Sequence, residues 1–256
     1  MSCIEAVILG IVQGLTEFLP VSSSGHLVLA QHLLGVNETG VLLEVILHMG
    51  TLAAILIYFY DDIKQLFLDV GRGSKDARIY IMHLVLATIP AAAAGYLFGD
   101  QIETAFTPSV VIWMLLITGI IVGSTRFFQN RSKKEMVLLT VLFIGFAQAI
   151  ALLPGISRSG LTISTAMILG IQHDKAAKFA IFMAIPVLLG AGLLQVVRIE
   201  TMSSIALFPL ILGFFTSAIT GYLVISWLLA VISQGKFYLF SLYCFMIALL
   251  AFTVIN

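Results

Sequence analysis

Apolar runs of about 20 residues recur along this chain, and a run of that length is what a helix needs to cross hydrocarbon. Backbone in lipid must satisfy its own hydrogen bonds, which leaves only helices or closed barrels. The runs are continuous rather than alternating, which argues against a barrel. Composition agrees. Of 256 residues, 60% are hydrophobic and 10% charged, whereas an ordinary soluble domain carries about 25% charged residues. Mean hydropathy is +1.10. The expected fold class is an all-α polytopic membrane protein, in one integral membrane domain over 1–256.

Two polar stretches interrupt the pattern: Gln13-Gly-Leu-Thr-Glu17-Phe-Leu-Pro20-Val-Ser22-Ser23-Ser24-Gly25-His26 and Pro154-Gly155-Ile-Ser157-Arg158-Ser159-Gly160. A constant offset of 135 residues sets Gly10 on Gly145, Gln13 on Gln148, Ser22 on Ser157, Ser24 on Ser159, Gly25 on Gly160 and Gly35 on Gly170. Such self-similarity is the signature of an internal duplication. The first copy holds Glu17 and His26 and the second holds Arg158; the two breaks are expected to meet as one site.

Each break separates a longer apolar segment from one too short to span: 2–19 from 26–36, and 136–153 from 161–171. This reads as a re-entrant helical hairpin, with one kinked span as the alternative; irregular backbone at membrane depth must be buried in protein or line a wet cavity. Full spans are expected at about 41–60, 77–98, 108–127, 177–197, 204–231 and 237–255. Each repeat (about 1–130 and 136–256) is then a hairpin plus three spans, so the second is inverted. On that topology Lys64, Arg72, Lys75, Arg78, Arg126, Arg131, Lys133, Lys134, Lys175, Lys178 and Lys236 lie in the cytoplasm, and only Arg198 among loop cations lies outside. Inverted repeats commonly place their site near the midplane, between the units.

Glu17 has no basic neighbour in sequence, and an intramembrane carboxylate faces a cavity and takes a partner. It is either a structural ion pair, a neutral hydrogen-bonded acid, or a metal ligand or acid–base group. One of Ser22, Ser23 and Ser24 can cap the helix that starts near Gly25, but three exceed that need. A hydroxyl at a helix N-terminus also sits where amide groups and the macrodipole attract anions. His26 can serve as a base or accept a phosphoryl group. Arg158, between Ser157 and Ser159 at another helix start, grips phosphate bidentately. Glu44 and His48, four apart, share one helix face; they line the same cavity or satisfy each other. Together these residues describe an anion site with a nucleophile inside a membrane, for which a lipid phosphate or diphosphate is the natural ligand. Cys3 and Cys244 support neither a disulfide framework nor a thiolate metal site. The formal net charge of zero implies no acidic or basic partner, and no nucleic acid is expected. The N-terminus lacks the basic stretch of a cleaved signal peptide.

Gly14–His26 and Pro154–Gly160 resemble the two signature motifs of the undecaprenyl-diphosphate phosphatases, the bacterial membrane enzymes also called bacitracin-resistance proteins. Length, motif separation and hydropathy plan resemble that family over essentially the whole chain, and Glu44 and His48 in Leu-Glu-Val-Ile-Leu-His-Met-Gly-Thr-Leu look like a further family feature. The resemblance implies removal of the terminal phosphate of undecaprenyl diphosphate at the periplasmic side of the inner membrane, with a divalent cation (Mg2+ or Ca2+). It implies a catalytic core of Glu17, Ser23, His26 and Arg158. Arg158 would hold the diphosphate and Glu17 would bind metal or activate a nucleophile. Ser23 or His26 would attack phosphorus, or His26 would activate Ser23 or a water. Ser22, Ser24, Gly25, Ser157, Ser159, Gly160, Thr162 and Gln13 are expected around the substrate, with Glu44 and His48 as further metal candidates. Some members of the family carry Glu where this chain has Gln13, which weakens any scheme with two carboxylates on a metal. The expected partners are the polyprenyl diphosphate lipid and the bilayer, with a homodimer left open. The rival is a polyprenyl-phosphate transporter or flippase, which would need Arg158 and a groove but no nucleophile; a purely structural scaffold is a third reading.

Overall fold

A computed structural model of the chain describes residues 1–36, 40–128, 134–198 and 207–255. Regular structure among them is all helical. The helices are α1 (Cys3–Thr16), α2 (Ser23–Leu34), α3 (Gly40–Tyr58), α4 (Tyr60–Gly71), α5 (Lys75–Thr104), α6 (Pro108–Ser124), α7 (Leu138–Ile150), α8 (Arg158–Ile168), α9 (His173–Arg198), α10 (Leu207–Ser233) and α11 (Phe240–Ile255). Short 3-10 turns at Thr125–Phe128 and Phe237–Leu239 join their neighbours. Helix starts follow the polar residues at the ends of the apolar runs. Ser2 and Glu5 close a capping box on α1, and Ser74 and Thr107 cap α5 and α6.

Five helical stretches are long and apolar enough to cross a membrane: Lys75–Thr104, Pro108–Phe128, His173–Leu193, Leu207–Ser233 and Phe237–Ile255. Leu42–Tyr58 and Tyr60–Gly71, bent by 70° against each other, make a sixth if counted as one span. The chain is a multi-pass membrane protein. The expected span at 41–60 therefore ends in a sharp bend, and the segment 61–76, read from sequence as a plain connection, is mostly the helix α4. Its apolar Ile63, Leu66 and Val70 recur at helical spacing on the half-buried side, and Ile63 and Leu66 pack on the main core. The charged residues between them disguise that stripe in the sequence. Arg131, Lys133, the first residues of the span placed at 204–231 and the Arg198 side chain lie outside the described residues.

The segments 26–36 and 161–171 are short helices as expected, α2 and α8 with 12 and 11 residues, while 2–19 and 136–153 form less helix than expected, α1 and α7 with 14 and 13 residues. At 1.5 Å per residue these reach only about 16–21 Å, against roughly 30 Å of hydrocarbon. Helix α1 packs against α2 and α7 against α8, while α1 also lies on α10 and α7 on α5; α6 pairs with α11 and α3 with α9. A core including Phe18, Ile55, Ile144, Ile163, Phe179 and Met183 joins both halves.

The two breaks touch. The Ser159 and Ser157 hydroxyls donate to the Leu19 carbonyl at 2.8 and 3.4 Å. The Cys244 thiol lies 3.5 Å from the Pro20 carbonyl, and Thr118 on α6 donates to Gly155 O at 2.9 Å while accepting from Ser157 N at 3.1 Å. Gly155 has φ +94, and a Cβ there would stand 2.6 Å from Met114 Cβ and 2.7 Å from Val111 O. Only glycine meets both conditions.

Candidate active site

Glu17 ends α1, where its N–H still donates to Gln13 O at 2.9 Å, and is only 5% exposed. Its Oε1 pairs with Nη2 of Arg158 from the other break. Its Oε2 accepts from Ser23 Oγ at 2.6 Å and from Gln13 Nε2 at 2.9 Å. Nε2 of His48, reaching over from α3, stands 3.6 Å from that same oxygen. The Nδ1 of His48 lies 2.6 Å from the Glu44 carbonyl. A carbonyl can only accept, so Nδ1 carries a proton.

The two breaks build the same local device. Ser22 accepts from Gly25 N at 3.2 Å and caps α2, and Ser157 accepts from Gly160 N at 3.0 Å and caps α8. Ser22 Oγ sits 3.3 Å from Ser24 Oγ, and Ser157 Oγ 3.2 Å from Ser159 Oγ. Ser23 and Arg158, related by the same offset of 135, are each the first residue of their helix. The N–H groups of Ser23, Ser24, Arg158 and Ser159 have no intrahelical acceptor, so two helix N-termini converge on one place, which is a ready anion site. Ser22 holds its turn at φ 70, the only non-glycine residue with positive φ among those described.

A cavity of about 280 Å³ opens on this cluster, lined by Glu17, Ser23, Ser24, Glu44, His48, Gln148, Ser157 and Arg158 among others. Its far wall carries Phe106, just before α6, and Ala191 and Gly192 of α9.

A sequence model of the family described as "Bacitracin resistance protein BacA" matches residues 6–250. The chain belongs to the BacA family. Curated relatives of this BacA-family chain include the undecaprenyl-diphosphatase of Desulforudis audaxviator, 39% identical over 95% of this chain and 94% of the relative. The undecaprenyl-diphosphatase of Halothermothrix orenii is 37% identical, covering 98% and 97%. Undecaprenyl-diphosphatase 1 of Bacillus licheniformis is 39% identical, covering 96% of each.

The candidate residues fall into two groups in this BacA-family fold. Glu17, Ser23, Ser24, Glu44, His48, Ser157 and Arg158 line the cavity. Gln13 is buried behind it on Glu17. The Ser22 and Ser159 hydroxyls go to backbone groups, as does that of Thr162, which donates to Arg158 O at 2.7 Å. Gly25 and Gly160 give close approach: a Cβ on Gly25 would stand 3.1 Å from Gly155 Cα, and one on Gly160 3.2 Å from Pro20 Cβ. His26 does not line the cavity. Its Nδ1 lies 2.8 Å from Ser22 O, its Nε2 3.0 Å from the Tyr243 hydroxyl, and its ring stacks on Tyr243 at 5.6 Å. It belongs to a separate, largely apolar hollow with Trp227, Lys236 and Phe240.

The donor set does not fit a cation held by protein alone. Both oxygens of Glu17 are taken by Arg158, Gln13 and Ser23, Gln13 brings no second carboxylate, and no group of three or more His, Cys, Asp or Glu side chains is placed to hold a metal among the described residues. The pairing of His48 with Glu17 crosses from α3 to α1, and only the i, i+4 relation to Glu44 was visible in sequence. Gln148 reaches the cavity with no sequence signal except its match to Gln13.

Proposed function

We propose that this chain hydrolyses undecaprenyl diphosphate to undecaprenyl phosphate and inorganic phosphate, which returns the lipid carrier to cell-wall synthesis and gives resistance to bacitracin. The observation that carries the chemistry is the joined set of Arg158, Glu17 and Ser23 in one buried cavity; the names of the relatives supply the substrate. Ser23 Oγ, already donating to Glu17 Oε2 at 2.6 Å, attacks the terminal phosphorus. The bond from phosphorus to the bridging oxygen breaks, its electron pair stays on the lipid monophosphate, and the Ser23 proton passes to Glu17 and on to solvent. Arg158 has five N–H donors and gives one to Glu17, so the rest, with the first-turn amides of α2 and α8, can hold the charge that develops on the phosphoryl oxygens. Water then hydrolyses the phosphoserine. A divalent cation, which these side chains do not hold by themselves, would have to be bound together with the diphosphate and would supply charge neutralisation there.

We place the cavity mouth on the periplasmic side of the inner membrane. Support comes from the basic residues of the loops, which the positive-inside bias puts in the cytoplasm. There Lys178 pairs with Asp62 at 2.6 Å beside Lys175, Asp76 and Glu135, and Arg126 lies over Tyr238. The two units, about 1–130 and 136–256, are proposed to be inverted copies. The matched caps support this, as does the exchange of partners in which α1 lies on α10 of the second unit and α7 on α5 of the first. The transporter alternative needs no serine hydrogen-bonded to a carboxylate and is not favoured by the relatives.

Phosphate release from undecaprenyl diphosphate by the purified chain, with no ion gradient, tests the reading. Arg158→Ala and Ser23→Ala are each expected to lose ~100-fold or more, as loss of a preorganised anchor does. A wild-type chain that releases no phosphate with any divalent cation would end the phosphatase reading.

A further inference from the structure

Gln148 has no part in the reaction above, yet it stands in the cavity wall. It is 1% exposed. Its Nε2 donates to the Ala87 carbonyl of α5 at 3.3 Å, and its Oε1 accepts from nothing among the described residues, although the residue lines the cavity with Arg158, Ser23 and Glu17. Turning the amide over would set two acceptors against each other, so its orientation is fixed by Ala87. A buried carbonyl oxygen without a donor is costly to keep.

The internal repeat sharpens the point. Gln13, at the matching position, donates from Nε2 to Glu17 four residues later and likewise leaves its own Oε1 without a donor. The residue four after Gln148 is Leu152, also a cavity-lining residue. The second unit has no acid there, so Gln148 has no carboxylate partner of the Gln13 kind. The bridge to Ala87 uses only the donor end and leaves the acceptor end, in a residue of the cavity lining, buried without a donor.

We infer that Gln148 is a positioning residue for the water that releases phosphate. This rests on the phosphatase reading above. Oε1 accepts one O–H of the water and turns the lone pair of the water oxygen toward a phosphoryl group held by Arg158, much as a glutamine orients the attacking water in some nucleotide hydrolases. The water oxygen bonds to phosphorus as the bond to Ser23 Oγ breaks. One water proton passes through Glu17 to Ser23 Oγ, and the proton held by Gln148 stays on the phosphate that leaves. The group that recognises water is thus the second O–H, which an alcohol lacks.

The test follows from that difference. Purified full-length chain would turn over undecaprenyl diphosphate in water–methanol mixtures, with methyl phosphate and inorganic phosphate counted separately. Wild type should favour water. Gln148→Met, similar in size but with no acceptor, should lose ~100-fold in kcat, the scale of a misplaced reactant, with KM little changed. Its ratio of methyl phosphate to inorganic phosphate should rise, and Gln148→Glu, which keeps an oxygen, should restore the wild-type ratio. That ratio is read on active molecules only, so a partly folded variant still reports. An unchanged ratio in Gln148→Met overturns the inference whatever happens to kcat, and so does complete loss of both products in Gln148→Met and Gln148→Asn alike, since positioning slows attack and does not abolish it. Failure of the wild type to release any phosphate instead removes the phosphatase reading itself.

Discussion

The Glu17–Arg158 pair makes a prediction in which stability and activity part company. In Arg158→Ala the carboxylate keeps the hydrogen bonds from Ser23 at 2.6 Å and Gln13 at 2.9 Å but loses its guanidinium. Only His48, 3.6 Å away, could supply a countercharge. Removing one partner of a buried pair costs about 3–5 kcal/mol. The carboxylate can escape by taking a proton. From an ordinary pKa of about 4.3 that costs ~3.7 kcal/mol at pH 7, at 1.36 kcal/mol per unit, which caps the loss at about 4 kcal/mol. With two hydrogen bonds retained, about 3 kcal/mol is expected. Adding Glu17→Gln removes the stranded charge, and an amide at that position still accepts from Ser23. The double variant should then sit only about 1 kcal/mol below wild type, the net worth of a hydrogen bond. It should be ~2 kcal/mol more stable than Arg158→Ala and no more active, because both lack the phosphate anchor. Reversible unfolding in mixed micelles, followed by Trp113 and Trp227 fluorescence, gives the first quantity and phosphate release the second. A double variant no more stable than the single one would refute the paired-charge account of this site.

Two further outcomes are expected. Gly155→Ala places a Cβ 2.6 Å from Met114 Cβ on a residue at φ +94; backbone strain of ~1–3 kcal/mol adds to the clash, so unfolding should shift toward lower denaturant and activity fall, while Gly71→Ala, which meets nothing within 4 Å, leaves both unchanged. The chain alone should also bind no stoichiometric Mn2+ by electron paramagnetic resonance, and binding should emerge when a non-hydrolysable lipid diphosphonate is added; tight binding without the lipid, lost in Glu17→Gln, would show a resident metal site.

Helix content, the six apolar segments and the meeting of the two breaks were legible in the sequence, because apolar run length and polar punctuation act locally. Helix α4 was not: its stripe of Ile63, Leu66 and Val70 runs between charges and shows only when folded against the core. The Glu17–Arg158 contact could be anticipated, since a lone carboxylate and a lone guanidinium in hydrocarbon need partners. The choice between His26 and His48 could not. His26 adjoins the serine cluster in sequence, yet its ring lies against Tyr243 and outside the cavity that Ser23 lines. His48, 22 positions later on α3, is carried to Glu17 by tertiary packing.

On the proposal that the two units are copies, one site draws opposite charges from matched positions. Each break supplies the same cap and the same converging N-terminus, so two equivalent first-turn positions face one anion site. The chain has made them different: Ser23 in one unit and Arg158 in the other. At the helix end before each break it keeps Glu17 in the first unit and has Leu152 in the second. The result is one carboxylate facing one guanidinium where the breaks meet, with Glu44 in the lining of the same cavity; the pairing lowers the penalty of charges at membrane depth. Two arginines would bind diphosphate more tightly but would carry unpaired positive charge in the absence of lipid and would lack a nucleophile. Two serines would lack the anchor. The difference between the two halves, rather than either half alone, is what on the proposed function gives a pair of helix N-termini an anchor, a base and a hydroxyl.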